Sequence, residues 1–87
     1  MDVIITEKQK EKFKSIIKTM VEDINVPLAI KIEVKISEDG IIYVIIPLKN
    51  YLGYTSREKY ESLIRNKVKN YIGLEVVVVL FEKVEGR

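Results

Sequence analysis

Neither cysteine nor histidine occurs in the 87-residue chain. The first absence excludes disulfides and thiolate metal sites and leaves the redox compartment open. The second removes the commonest general base and the commonest transition-metal ligand together. Nothing takes their place: there is no phosphate-binding glycine loop, metal signature or nucleophile elbow. Ser15, Ser37, Ser56 and Ser62 therefore have no histidine to activate them. An excess of one charge is missing too, with 15 basic residues against 13 acidic ones. That balance neither demands nor forbids a nucleic-acid partner. No apolar stretch approaches the ~18–20 residues that span a bilayer. Met1 to Thr6 lack the basic region and cleavage site of a signal peptide. These absences predict a cytoplasmic, non-enzymatic protein without a cofactor or metal.

What the chain does have is apolar strand sequence. Every residue from Ile41 to Leu48, and from Val76 to Phe81, is apolar, counting Tyr43 and Pro47. A strand sends alternate side chains to opposite faces, so such runs are apolar on both sides. Only two convincing helices accompany them, and in a compact layout these cover one face of a small sheet. A second apolar face is left over, and it must meet another copy, a partner or more chain. One domain is expected over residues 1–87, burying only about 60–65% of its unfolded surface. Oligomerisation would help so thin a core.

The elements follow from local signals. Thr6 and Gln9 form a capping box ahead of a helical stripe at Phe13, Ile16, Ile17, Met20, Val21 and Ile24. Asn25 and Pro27 stop it. Leu28 to Ser37 alternates as a strand with one wet face. Glu38-Asp39-Gly40 is a tight turn into the strand Ile41 to Leu48, with Gly40 suited to a positive φ. After a loop at 49–54, a second box of Thr55 and Glu58 opens a helix with stripe Tyr60, Leu63, Ile64, Val68, Tyr71 and Ile72. Gly73 stands where a left-handed terminator belongs. A strand from Leu74 to about Glu82 follows, and Val84 to Arg87 reads as a frayed tail.

This order predicts an α+β, two-layer αββαβ sandwich: two helices on one face of a three-stranded mixed sheet. A short strand at residues 3–5 would make it ferredoxin-like, βαββαβ, instead. The second helix is a crossover, whose usual right-handedness puts it on one sheet face. A three-residue turn with Gly40 in the bulge position pairs Ile36 with Ile42. It turns Ile42, Val44 and Ile46 toward the helices with Ile32, Val34 and Ile36. Ile41, Tyr43 and Ile45 then face outward, joined by Val77, Val79 and Phe81 on the last strand. A two-residue turn would swap the sets, because a one-residue slip flips every side chain. The polar outer side of the first strand suggests a sheet edge, leaving the second strand central.

Basic residues offer a second candidate surface. Lys10 and Lys14, within a lysine-rich start to the first helix, oppose the helix dipole, as an anion site can. Lys49, Tyr51, Tyr54 and Arg57 combine cations with rings that could stack on single-stranded bases. The bland readings are a solvated Lys/Glu helix face and an ordinary connection in which Tyr51 and Leu52 plug the core. The element order is similar to KH-like RNA-binding modules, but their GxxG loop is missing and Gly53 stands alone.

The second half carries a family resemblance. A hydrophobic hairpin and a helix precede Gly73-Leu74-Glu75-Val76, a valine-rich strand and Val84-Glu85-Gly86. Over residues 30–86 this resembles the alkaline-shock-protein family of small bacterial proteins. The chain departs from the family's Thr-Gly-Leu and Val-Asn-Val wording, with Ile72-Gly73-Leu74 and an unbroken valine run. The resemblance implies a non-enzymatic protein acting through self-association and protein partners near the cell envelope. The strand order also resembles ring-building modules of secretion and sporulation assemblies. The expected function is a protein-binding or self-assembly module, a homo-oligomer with a dimer as first form; the alternative is a KH-like binder of single-stranded nucleic acid.

Overall fold

The computed structural model describes residues 6–83. Helix α1 (Glu7–Ile24) starts where the capping box puts it. Thr6 Oγ1 accepts from the Gln9 N–H at 3.2 Å, and the Thr6 N–H donates to Gln9 Oε1 at 3.0 Å. Asn25, left-handed with φ 60°, ends the helix with its N–H on the Glu22 carbonyl. Helix α2 (Tyr54–Ile72) begins earlier than the Thr55–Glu58 box predicts, since Gly53 is its N-cap and no side chain caps it. The cause lies just upstream. Leu52 is held in the core and its carbonyl accepts from Arg57 Nε at 3.4 Å, so the chain turns directly into the helix.

Strands β1 (Glu33–Ile36), β2 (Ile42–Leu48) and β3 (Val76–Glu82) form one sheet in the order β1-β2-β3. β1 runs antiparallel to β2, and β2 runs parallel to β3. The wholly apolar second strand is therefore central. Its direct pairing with β3, from Ile42 with Val76 to Leu48 with Glu82, leaves no slot between them for the extra strand of a ferredoxin-like sheet. Residues 3–5, on which that alternative depends, and the tail Val84–Arg87 lie outside the described residues.

The hairpin takes the three-residue register. Ile36 pairs with Ile42, and the Ser37 N–H donates to the Ile41 carbonyl at 2.9 Å. Gly40 has φ 87°, a left-handed conformation that costs a side-chain-bearing residue about 1 kcal/mol. The Ser37 hydroxyl donates to the Asp39 carboxylate, and the Ile41 N–H donates to Ser37 Oγ at 3.0 Å, closing the turn.

The first strand differs from its predicted span of Leu28 to Ser37. Ala29 bridges Leu48 and Glu33 pairs with Ile45, so Ile30, Lys31 and Ile32 stand against only Ile46 and Pro47. That is a bulge of one residue. Pro47 supplies the reason. Ile42 donates its N–H to the carbonyl of Glu75, just before β3, so alternation turns residues 43, 45 and 47 toward β1. Proline has no N–H to offer there, and the regular ladder breaks opposite it. The Pro47 carbonyl still accepts from the Ile30 N–H at 2.9 Å. Upstream of the bulge the alternation is reversed: Ala29 packs on the core, while Leu28 and Ile30 are exposed.

Both helices cover one face, α1 over β1 and α2 over β3, with the helices touching each other. Ile17, Val21, Ile64 and Val68 interlock above Ile42, Val44, Ile46 and Leu48 of β2 and Val76, Val78 and Leu80 of β3. Leu63 and Tyr71, counted in the α2 stripe from spacing, are exposed. The buried line is narrower, running through Tyr60, Ile64, Val68 and Ile72 at intervals of four, because α2 meets little besides β3. Leu52 plugs the core end alone; Tyr51 instead lies beneath the Arg57 guanidinium, 5.9 Å from it.

Candidate interaction surface on the outer sheet face

The face turned away from the helices is built by register. Parallel pairing sets Tyr43 beside Val77, Ile45 beside Val79 and Pro47 beside Phe81, so each pair forms a row across two strands. Ile41 precedes the first row. Val77, Val79 and Phe81 are 39%, 41% and 40% exposed, and Ile41, Tyr43 and Ile45 are half-buried. All six outward residues expected from the sequence thus lie together on one surface. They shield one another, and no element among the described residues covers them.

The margin is charged. Glu33 stands beside Ile45 and Lys35 beside Tyr43 on the same face of β1. Neither has an oppositely charged partner within 4 Å among the described residues, whereas Arg57–Glu82, Lys69–Glu75 and Arg65–Glu61 are paired away from the patch. The chemistry available is therefore apolar contact in the centre and selective charge pairing along one side. Sequence reading missed Pro47, which lies buried beside Phe81 at the end of this face, and Ile30 as an exposed residue. The signal was present, since a proline in a central strand requires a bulge or gap in its neighbour.

The basic candidates do not converge. Lys10 reaches Glu7 at 3.5 Å, and Lys14 reaches Glu11 at 3.9 Å. Arg57 is spent inside the fold: Nη1 donates to the Leu80 carbonyl at 3.3 Å and Nη2 to Glu82 Oε1 at 2.5 Å, besides the Leu52 bond. Lys49 is exposed, with its backbone N–H on the Leu28 carbonyl. Tyr51 and Tyr54 project into solvent, and the Glu58 carboxylate, followed by Glu61, holds the Tyr54 phenol above its ordinary pKa. The bridge between Ala29 and Leu48 puts the end of α1 beside the 49–53 loop. Lys10 and Lys14 therefore sit toward the hairpin end, separated from Lys49, Tyr51, Tyr54 and Arg57 by much of a helix about 27 Å long.

Among the described residues no group of three or more His, Cys, Asp or Glu is placed to hold a metal, and no helix is long and apolar enough to cross a membrane. No protein-family model matches the chain, and no curated protein matches it. Among solved structures it is similar to the MamB CTD, a magnetosome protein of Desulfamplus magnetovallimortis BW-1. The TM-score is 0.63 at 11% identity, over 87% of this chain and 96% of that one. The likeness is one of fold: the α+β arrangement of two helices on a three-stranded mixed sheet.

Proposed function

We propose that this chain is a non-enzymatic self-assembly module whose working surface is the outer face of its sheet. The observation that carries this reading is the set of rows Tyr43–Val77 and Ile45–Val79, continued by Phe81, lying side by side with no described element over them; Pro47, beside Phe81, is buried. A patch of this kind spans several hundred Å², near the upper range for soluble monomers. Burying one large apolar side chain is worth about 1.5–3 kcal/mol, a substantial gain for so small a core. A second copy is the occupant that fits. Two sheets stacked face to face about a two-fold axis set apolar centre on apolar centre, with the same patch serving both. The charged margin on β1 then stays at the rim, where solvent reaches it. The resemblance of residues 30–86 to alkaline-shock proteins supports the same reading.

Light scattering on the purified chain tests this. The wild type is expected to exceed the monomer mass at micromolar concentration, and Val79→Glu or Phe81→Glu to lower it. Equal masses for wild type and both variants at every concentration would overturn the proposal.

A further inference from the structure

The two edges of the sheet are finished differently. Glu75 and Lys83, flanking β3 at its two ends, bond to β2, so alternation turns the Leu80 carbonyl to the outer edge, where Arg57 Nη1 donates to it. β1 has no such guard. Ser37 bonds toward β2, which turns the backbone N–H and C=O of Val34 and Ile36 to the free side. Nothing among the described residues pairs with that side. α1 stands above β1 without closing it. A groove of about 520 Å³ runs between them, lined by Lys14, Ser15 and Lys18 of the helix and by Ile32, Val34 and Lys35 along the strand.

We propose that the free edge of β1 pairs antiparallel with β1 of a second copy, about a two-fold axis at Val34, joining two three-stranded sheets into one of six strands. The strand is complementary to itself in this register. Val34 meets Val34 of the other copy through its edge-facing N–H and C=O, and Ile32 meets Ile36 beneath the helices. On the outer face Glu33 of each copy stands directly opposite Lys35 of the other. Neither of these two charges has an ionic partner within 4 Å among the described residues. Opposite charges at directly facing positions stabilise a pair of strands, and like charges there destabilise it. Other registers fit less well. An axis at Ile36 sets Lys35 against Ser37, and one at Ile32 runs the contact through the bulge. A lone lysine on an edge strand ordinarily repels pairing; Lys35 with Glu33 two residues away selects one partner instead.

This interface uses backbone groups on a different surface, so it stands whether or not the outer face associates. Amide exchange at Val34 in the 87-residue chain tests it, read from low micromolar to millimolar concentration in wild type and in Val79→Glu. Exchange at Val34 should slow about tenfold or more with concentration in both proteins. Lys35→Glu alone and Glu33→Lys alone should each lose that slowing, since like charges then face each other twice. An equimolar mixture of the two variants should restore it, because every carboxylate again meets an ammonium group. Both sites are exposed, so the fold persists and the comparison is fair. Concentration-independent exchange at Val34, a slowing that vanishes in Val79→Glu, or a mixture no better protected than its components would overturn the edge pairing.

Discussion

Val78 and Val79 are the same residue at adjacent positions on one strand, yet 8% of the first is exposed and 41% of the second. The strand's twofold period separates them, and the helices decide which side is dry. On β2 and β3 the two faces are thus chemically alike and differ chiefly in what lies over them. One is finished by Ile17, Val21, Ile64 and Val68. The other ends in the rows centred on Ile45 and Val79. An apolar run on a central strand therefore records two contacts rather than one, and here only one of them is made among the described residues.

The largest expected effect comes from placing one charge on each side. Val78→Glu buries a carboxylate with no partner, which costs several kcal/mol against a total stability of about 5–15 kcal/mol. That variant should lose its far-UV helical signal. Val79→Glu should keep the signal and lose assembly mass. If both variants unfold, or both stay folded with unchanged mass, the distinction between the faces fails. A gentler version uses Ile46 and Ile45, neighbours on β2. Ile46 is fully buried, so Ile46→Ala should cost about 2–5 kcal/mol in urea titrations. Ile45→Ala should cost about 1 kcal/mol or less at concentrations where the chain is dissociated.

Much of this contrast is legible in the residues. The Thr6–Gln9 box, the stripe through Ile17 and Val21, Gly40 as the turn residue and Gly73 as terminator are local devices, and each acts as its chemistry dictates. Because Gly40 fixes the loop length, the six outward side chains follow from parity alone. The start of the first strand does not follow, since its pairing depends on Pro47, far along the chain and lacking the N–H that the ladder needs. The start of α2 escapes for a related reason: the burial of Leu52 and its bond from Arg57 are tertiary facts that override the Thr55 signal. Arg57 is the clearest case. Its charge beside Tyr51 suggests a site for bases, whereas its hydrogen bonds show a brace between the loop and β3.

Gly40 links the hairpin to the contrast between faces, with a smaller expected effect. Gly40→Ala keeps the loop length but strains a residue at φ 87°, and should lower stability by about 1 kcal/mol. Because the register is unchanged, assembly mass at a given concentration should match wild type once the chain is folded. A change in which of Val78 and Val79 tolerates a charge in the Gly40→Ala background would show that the turn, and not burial by the helices, selects the face.

The smallest effects are expected at the basic and aromatic residues of the 49–57 segment, the rival to the outer face as a recognition surface. Tyr51 and Tyr54 are 64% and 71% exposed, and neither belongs to the core cluster. Tyr51→Ala and Tyr54→Ala should each change stability by no more than about 0.5 kcal/mol. With Arg57 tied to Glu82 and Lys10 and Lys14 toward the other end, these basic candidates do not line up into one track for a strand of nucleic acid to follow. Fluorescence anisotropy with a single-stranded RNA should therefore show no binding even at ~50 mM salt, where phosphate contacts are strong. Salt-sensitive binding weakened by about 1–3 kcal/mol on either tyrosine substitution would reverse the ranking of the two surfaces. The apolar face would then be left to assembly and the loop to recognition.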